Sequence, residues 1–147
     1  MSLTENEELY VKGIAAVEKG NWIAALVCFE KLVQLEDKPV YNSYFAACIA
    51  KERGQSSQAA LLCRDAMERE PDNPVHYLNL GRIFLFQGRK IEAIEIFREG
   101  LKHNPEPRII VQLQKLGTRK QPVFPFLHRN NPLNKILGII LRVLKLR

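Results

Sequence analysis

Gly20, Gly54 and Gly88 stand 34 residues apart, and Ala25, Ala59 and Ala93 keep the same step. A fixed period of this length means an array of one supersecondary unit, each unit burying its apolar face against the next. The period also links Gly13, Ala47 and Gly81, all small, and carries Pro71 onto Pro105.

Two helices of about 14 residues joined by a tight turn fit inside one such unit, and small residues are needed where the helices cross closely. Gly13, Ala47 and Gly81 are placed to serve the first (A) helix of each unit, and Ala25, Ala59 and Ala93 the second (B) helix. Gly20, Gly54 and Gly88 fall just past the A helices, where a left-handed residue satisfies the last carbonyls. Polar Asn21, Gln55 to Ser57 and Arg89 to Lys90 lead into the B helices. Asp72-Asn73-Pro74 sets a capping side chain before a proline suited to the first helical turn.

In the third unit Tyr77, Leu80, Gly81, Phe84, Ala93, Phe97 and Pro105 run aromatic, leucine, glycine, aromatic, alanine, aromatic, proline. This order resembles the tetratricopeptide repeat. The resemblance covers units 6–39, 40–73 and 74–107 and implies an all-α, right-handed α-solenoid of three helix-turn-helix units; the residues beyond it read as a capping helix and a C-terminal amphipathic helix. The first two units depart from the pattern, with Leu9, Lys12 and Gly13, and Ser43, Ala46 and Ala47, at the leading positions. Trp22, at the start of a B helix, reads as core packing. Cys63 stands where the other units have Phe29 and Phe97, so the second B helix packs either more closely or less fully.

At 147 residues, 46% hydrophobic and 26% charged, the chain suits one compact domain with an appendage. The acidic N-terminal stretch lacks an apolar run before a small-residue site, which predicts no secretory leader. Cys28, Cys48 and Cys63 have no metal-ligand spacing and map onto helical positions, as reduced core cysteines of a cytoplasmic protein do.

Charge divides the chain. Residues 1–107 hold 13 Lys and Arg against 16 Asp and Glu, whereas residues 108–147 hold nine Lys and Arg and no acid. The organisation expected is a repeat array at 1–107, a capping helix at 108–117, a Pro/Phe-rich connector at 118–131 and a basic amphipathic helix at 132–147. Pro107 opens the capping helix, and Ile109, Ile110, Leu113 and Leu116 are expected to cover the end of the third unit. In the last segment the apolar residues, among them Leu133, Ile136, Leu137, Ile140, Leu141, Val143 and Leu144, span about 220° of a helix, against roughly 100° for an ordinary surface helix. At about 21 Å long the segment is too short to span a membrane, so it needs shelter in the protein's own groove, in a second copy or on a membrane surface.

The family register implies a concave face lined by the A helices: Tyr10, Ile14 and Val17, then Tyr41, Tyr44, Cys48, Lys51 and Glu52, then Val75, Leu78, Arg82, Leu85 and Phe86. Mostly apolar and aromatic, these residues are expected to face outward from the stacked core and suit an amphipathic helix or an extended apolar peptide, with Glu7, Glu18 and Glu52 meeting its basic side. The resemblance to chaperone-tail binders fails here, because a carboxylate clamp wants Lys and Asn where the chain has Tyr10 and Ile14, and Arg82 alone is not a clamp. Arg82 reads instead as a partner for a groove glutamate. His76, His103 and His128 occur singly and read as surface residues, and no phosphate loop, metal set or nucleophile pair is present in the sequence. No cofactor is expected, and the tail carries too many leucines and isoleucines for a solvated nucleic-acid face. The reading is a non-enzymatic protein-protein adaptor whose groove takes an apolar or amphipathic segment, its own C-terminal helix first among them. The alternative is a peripheral membrane adaptor anchored by that helix.

Overall fold

The computed structural model describes residues 3–117 and Ile139. The connector and the C-terminal helix face built on Leu133, Ile136, Leu137, Ile140, Leu141, Val143 and Leu144 lie outside the described residues. Residues 3–113 belong to one compact unit; a second begins at Gln114, and of it only Gln114–Gly117 and Ile139 are described.

Regular structure among the described residues is helical: α1 (Glu5–Glu18), α2 (Trp22–Leu35), α3 (Pro39–Arg53), α4 (Ser56–Arg69), α5 (Pro74–Phe86), α6 (Lys90–His103) and α7 (Pro107–Lys115). The odd helices α1, α3 and α5 are the A helices, and α2, α4 and α6 the B helices. Each A helix packs on its own B helix, and α3 and α5 also pack on the B helix before them. The punctuation explains the starts and stops. Thr4 and Glu7 form a reciprocal capping box, Asn21 accepts from the Ala24 amide, and Asn73 accepts from the Val75 amide ahead of Pro74. Gly20, Gly54 and Gly88 end the A helices with φ of 74°, 65° and 73°, a conformation that costs other L-residues roughly 1–2 kcal/mol.

The crossings need their small residues. A methyl at Gly13 would come within 2.8 Å of the Phe29 ring, and one at Gly81 within 2.1 Å of the Phe97 ring. Ala25, Ala47, Ala59 and Ala93 are all fully buried. A further rung of the period, Leu32, Ala66 and Gly100, escaped the sequence reading. Gly100 lets Tyr77 lie against α6, where an added Cβ would meet the Tyr77 Cβ at 2.6 Å. The second unit has the small set Ser43, Cys63 and Ala66 at the matching positions, all buried, and His76 of the third unit sits against Ser43. Cys63 is fully buried, and its thiol donates to the Ser43 carbonyl at 3.7 Å.

The capping helix is present, but its lid is narrower than expected. Ile109 is fully buried near Gly100, while Ile110 points outward at 44% exposure.

Candidate binding face of the A helices

The A helices run in the same direction, so their N-terminal residues share one end of a face and their C-terminal residues the other. At the first end Tyr10, Tyr41, Tyr44 and Phe29 form an aromatic cluster. Tyr44 stacks on Phe29 with ring centroids 4.8 Å apart, and Tyr10 lies 5.4 Å from Tyr41 and edge-on to both Phe29 and Tyr44. Offset and edge-to-face pairs of this kind add about 0.5–1.5 kcal/mol each beyond their buried area. Arg108 reaches this cluster from α7, donating to the Tyr44 hydroxyl, while Glu106 accepts from its Nε at 2.8 Å and its Nη2 at 3.0 Å. Those bonds hold the Glu106 carboxyl below its usual range. Burial pushes the Tyr10 phenol up to about 12.

At the second end Glu18 and Trp22 meet Arg82 and Phe86. The Arg82 Nη2 donates to Glu18 at 2.9 Å, Trp22 packs edge-on against Phe86 at 5.1 Å, and the Lys51 ammonium sits 5.4 Å over the Phe86 ring. The expected pairing of Arg82 with a groove glutamate is thus observed, and Trp22, partly buried against the core as expected, also reaches Phe86 of the third unit.

Burial corrects the expectation that the face points outward. Val17, Tyr41, Tyr44, Cys48, Leu78 and Arg82 are buried, with Tyr44, Cys48 and Leu78 fully so. Tyr10, Ile14, Val75, Leu85 and Phe86 are half-buried, and Lys51 and Glu52 are exposed. The floor belongs to the core because aromatic side chains on the A helices reach the B helices beneath, as Tyr44 does on Phe29. Two of the acids expected to meet a ligand have internal work: Glu7 caps α1 and Glu18 holds Arg82.

The histidine expectation is corrected too. His76 is fully buried, its Nδ1 3.0 Å from the Ser43 hydroxyl and its Nε2 2.9 Å from Glu70. Asn79 donates to the same hydroxyl at 3.1 Å and accepts from Arg82 at 3.1 Å, so a polar chain runs from Glu70 through all three units to Glu18. A neutral ring carrying its proton on Nε2 satisfies both neighbours. The spacing of Ser43, His76 and Asn79 gives no sequence signal, since they lie on different helices or inside an apolar run. His103 is half-buried, 3.0 Å from the Tyr77 hydroxyl and 3.3 Å from Asp72, and His128 lies outside the described residues. Ser43 and His76 are sealed from solvent, so this Ser-His-Glu alignment has no substrate access.

Burial holds the His76 pKa below its usual value, against the opposing pull of Glu70. The unfolded chain therefore binds this proton more readily than the folded one. Stability from His76 is complete above about 6.5 and declines as pH falls from there toward the lower folded value. Melting temperature should drop between pH 7.5 and 5.5, and His76→Gln should be less stable at pH 7.5 but flatten that slope. An unchanged slope in the variant would assign the dependence elsewhere.

Residues 50–114 match the tetratricopeptide repeat family. The fold agrees: 78% of the chain superposes on 96% of the Arabidopsis OM64 TPR domain, at 26% identity and a TM-score of 0.54. The fold is that of a tetratricopeptide-repeat array. The TPR domain of Sgt2 from Aspergillus fumigatus covers 90% of the chain, with 95% of that domain aligned, at 16% identity and a TM-score of 0.53. The first TPR of Spaghetti (RPAP3), solved with the HSP90 peptide SRMEEVD, covers 77%, with 93% of that chain aligned, at 18% identity and a TM-score of 0.54. At those identities the likeness is one of fold. Over 109 residues the chain is 28% identical to small glutamine-rich tetratricopeptide repeat-containing protein 2 of Mycosarcoma maydis, spanning 74% of itself and 31% of that longer protein. Among the described residues no helix is long and apolar enough to cross a membrane.

Proposed function

We propose that this protein is a non-enzymatic adaptor that holds an apolar or amphipathic protein segment on the half-buried shoulder of its A-helix face. The observation that carries this reading is the set Tyr10, Ile14, Val75, Leu85 and Phe86, apolar or aromatic groups left half-buried along α1 and α5 above a fully buried floor. An amphipathic segment seats its apolar side on such a row. Internal pairing of Arg82 and Arg108 with Glu18 and Glu106 argues against an acidic tail as the ligand. The leading occupant is the chain's own segment 132–147, in cis or from a second copy, because its breadth of apolar residues needs shelter and its charge is basic.

Labelled synthetic peptide 132–147 should bind residues 1–117, and Ile14→Gln with Leu85→Gln should weaken binding about tenfold or more, as loss of a central apolar anchor does. Absence of binding, together with salt-sensitive sedimentation of the full chain on anionic vesicles, would replace this reading with the membrane-adaptor one.

A further inference from the structure

Repeat arrays are nearly one-dimensional: each unit touches only its neighbours, and opening spreads from one to the next. The bond between Glu18 and Arg82 breaks that rule, joining side chains 64 residues apart in the first and third units. Trp22 and Phe86 repeat the connection, as does the Arg82 guanidinium 6.0 Å over the Trp22 ring. The register shows what lies between. Ile14, Cys48 and Arg82 occupy one rung of the 34-residue period, and Glu18, Glu52 and Phe86 the next. A bridge from α1 to α5 on these rungs passes over Cys48 of α3. Glu52 is exposed at the rim and Cys48 is fully buried. Arg82 is close enough to Cys48 to act on its thiol electrostatically.

We infer that Glu18, Trp22, Arg82 and Phe86 form a clasp that locks the first unit to the third across the A-helix face, so that this end of the face is reached only when the clasp opens. Two features suit the clasp to opening. Glu18 is 43% exposed at its side chain, so water competes for its carboxylate, whereas Arg82 stays anchored below by Asn79. Trp22 and Phe86 are only half-buried, so their contact borders solvent and can be parted without opening the core beneath. A segment entering from this end must displace the Glu18 carboxylate and part the two rings. The clasp belongs to the resting chain, whatever segment the face takes up.

Cys48 reports the opening, and Cys63 is an internal control, buried on α4 and bonded to the Ser43 carbonyl away from the clasp. The full chain would be alkylated under native conditions and the three thiols followed separately by mass spectrometry. Glu18→Gln keeps the shape and removes the charge at a solvent-exposed position, so folding is retained. Cys48 should then react about tenfold faster, as expected for loss of one charge-assisted hydrogen bond, while Cys63 stays within about twofold. Phe86→Leu should act in the same direction. A Cys48 rate unchanged in both variants, or a Cys63 rate rising in step with it, would overturn the clasp: the first would show that the bridge does not cover Cys48, the second that the array opens as a whole.

Discussion

Gly81→Leu should abolish cooperative folding of the third repeat. The position admits no Cβ: one would fall 2.1 Å from Phe97 Cε1, and Phe97 is fully buried between α5 and α6, so the ring has nowhere to go. Overpacking of this kind costs about 1–3 kcal/mol where the surroundings can shift. A whole leucine against an immobile ring exceeds that range, against total stabilities of roughly 5–15 kcal/mol. Far-UV circular dichroism during heating should show an early, shallow loss of helix. Gly88→Ala is the contrast, since Gly88 has open space around it and only its φ of 73° to accommodate. It should lower stability by roughly 1–2 kcal/mol and keep one sharp transition. If Gly81→Leu melted with the parent, the 34-residue register would be misassigned.

Tyr44→Asp should unfold the array, although a reading of Tyr44 as an outward-facing groove residue predicts a stable protein with lost binding. Tyr44 is fully buried, stacked on Phe29, and its hydroxyl accepts from Arg108. The substitution removes the ring from the aromatic cluster and leaves a carboxylate in its cavity, a combination that costs about 4 kcal/mol or more. Lys51→Ala, on the exposed rim of the same helix, should change stability by under about 0.5 kcal/mol. Chemical denaturation followed by helix content separates the two. Equal midpoints for Tyr44→Asp and the parent would return Tyr44 to the surface.

The departures of the first two units from the family pattern show how the repeats compensate one another. The second unit has Ser43, Cys63 and Ala66 where the third has Tyr77, Phe97 and Gly100, and the buried His76 ring of the third unit sits beside its Ser43. A sequence reader sees three small residues and a lone histidine, with no cue that they belong together.

The array itself was legible in the sequence, because a left-handed glycine after each A helix, a small residue at each crossing and a cap before each start are local requirements recurring at a fixed step. Those same demands located Gly13, Gly81 and Ala93 at helix crossings without reference to any neighbour. Tertiary structure alone decided which A-helix residues are floor and which are rim. Side-chain length and helix tilt set whether Tyr44 or Leu85 reaches the B helices, and neither is written in the period. Which groove glutamate meets Arg82, and the chain from Glu70 through His76, Ser43 and Asn79, depend likewise on how far one repeat turns relative to the next. That angle emerges from packing summed over the units, so residues distant in sequence meet with no local pattern to announce them.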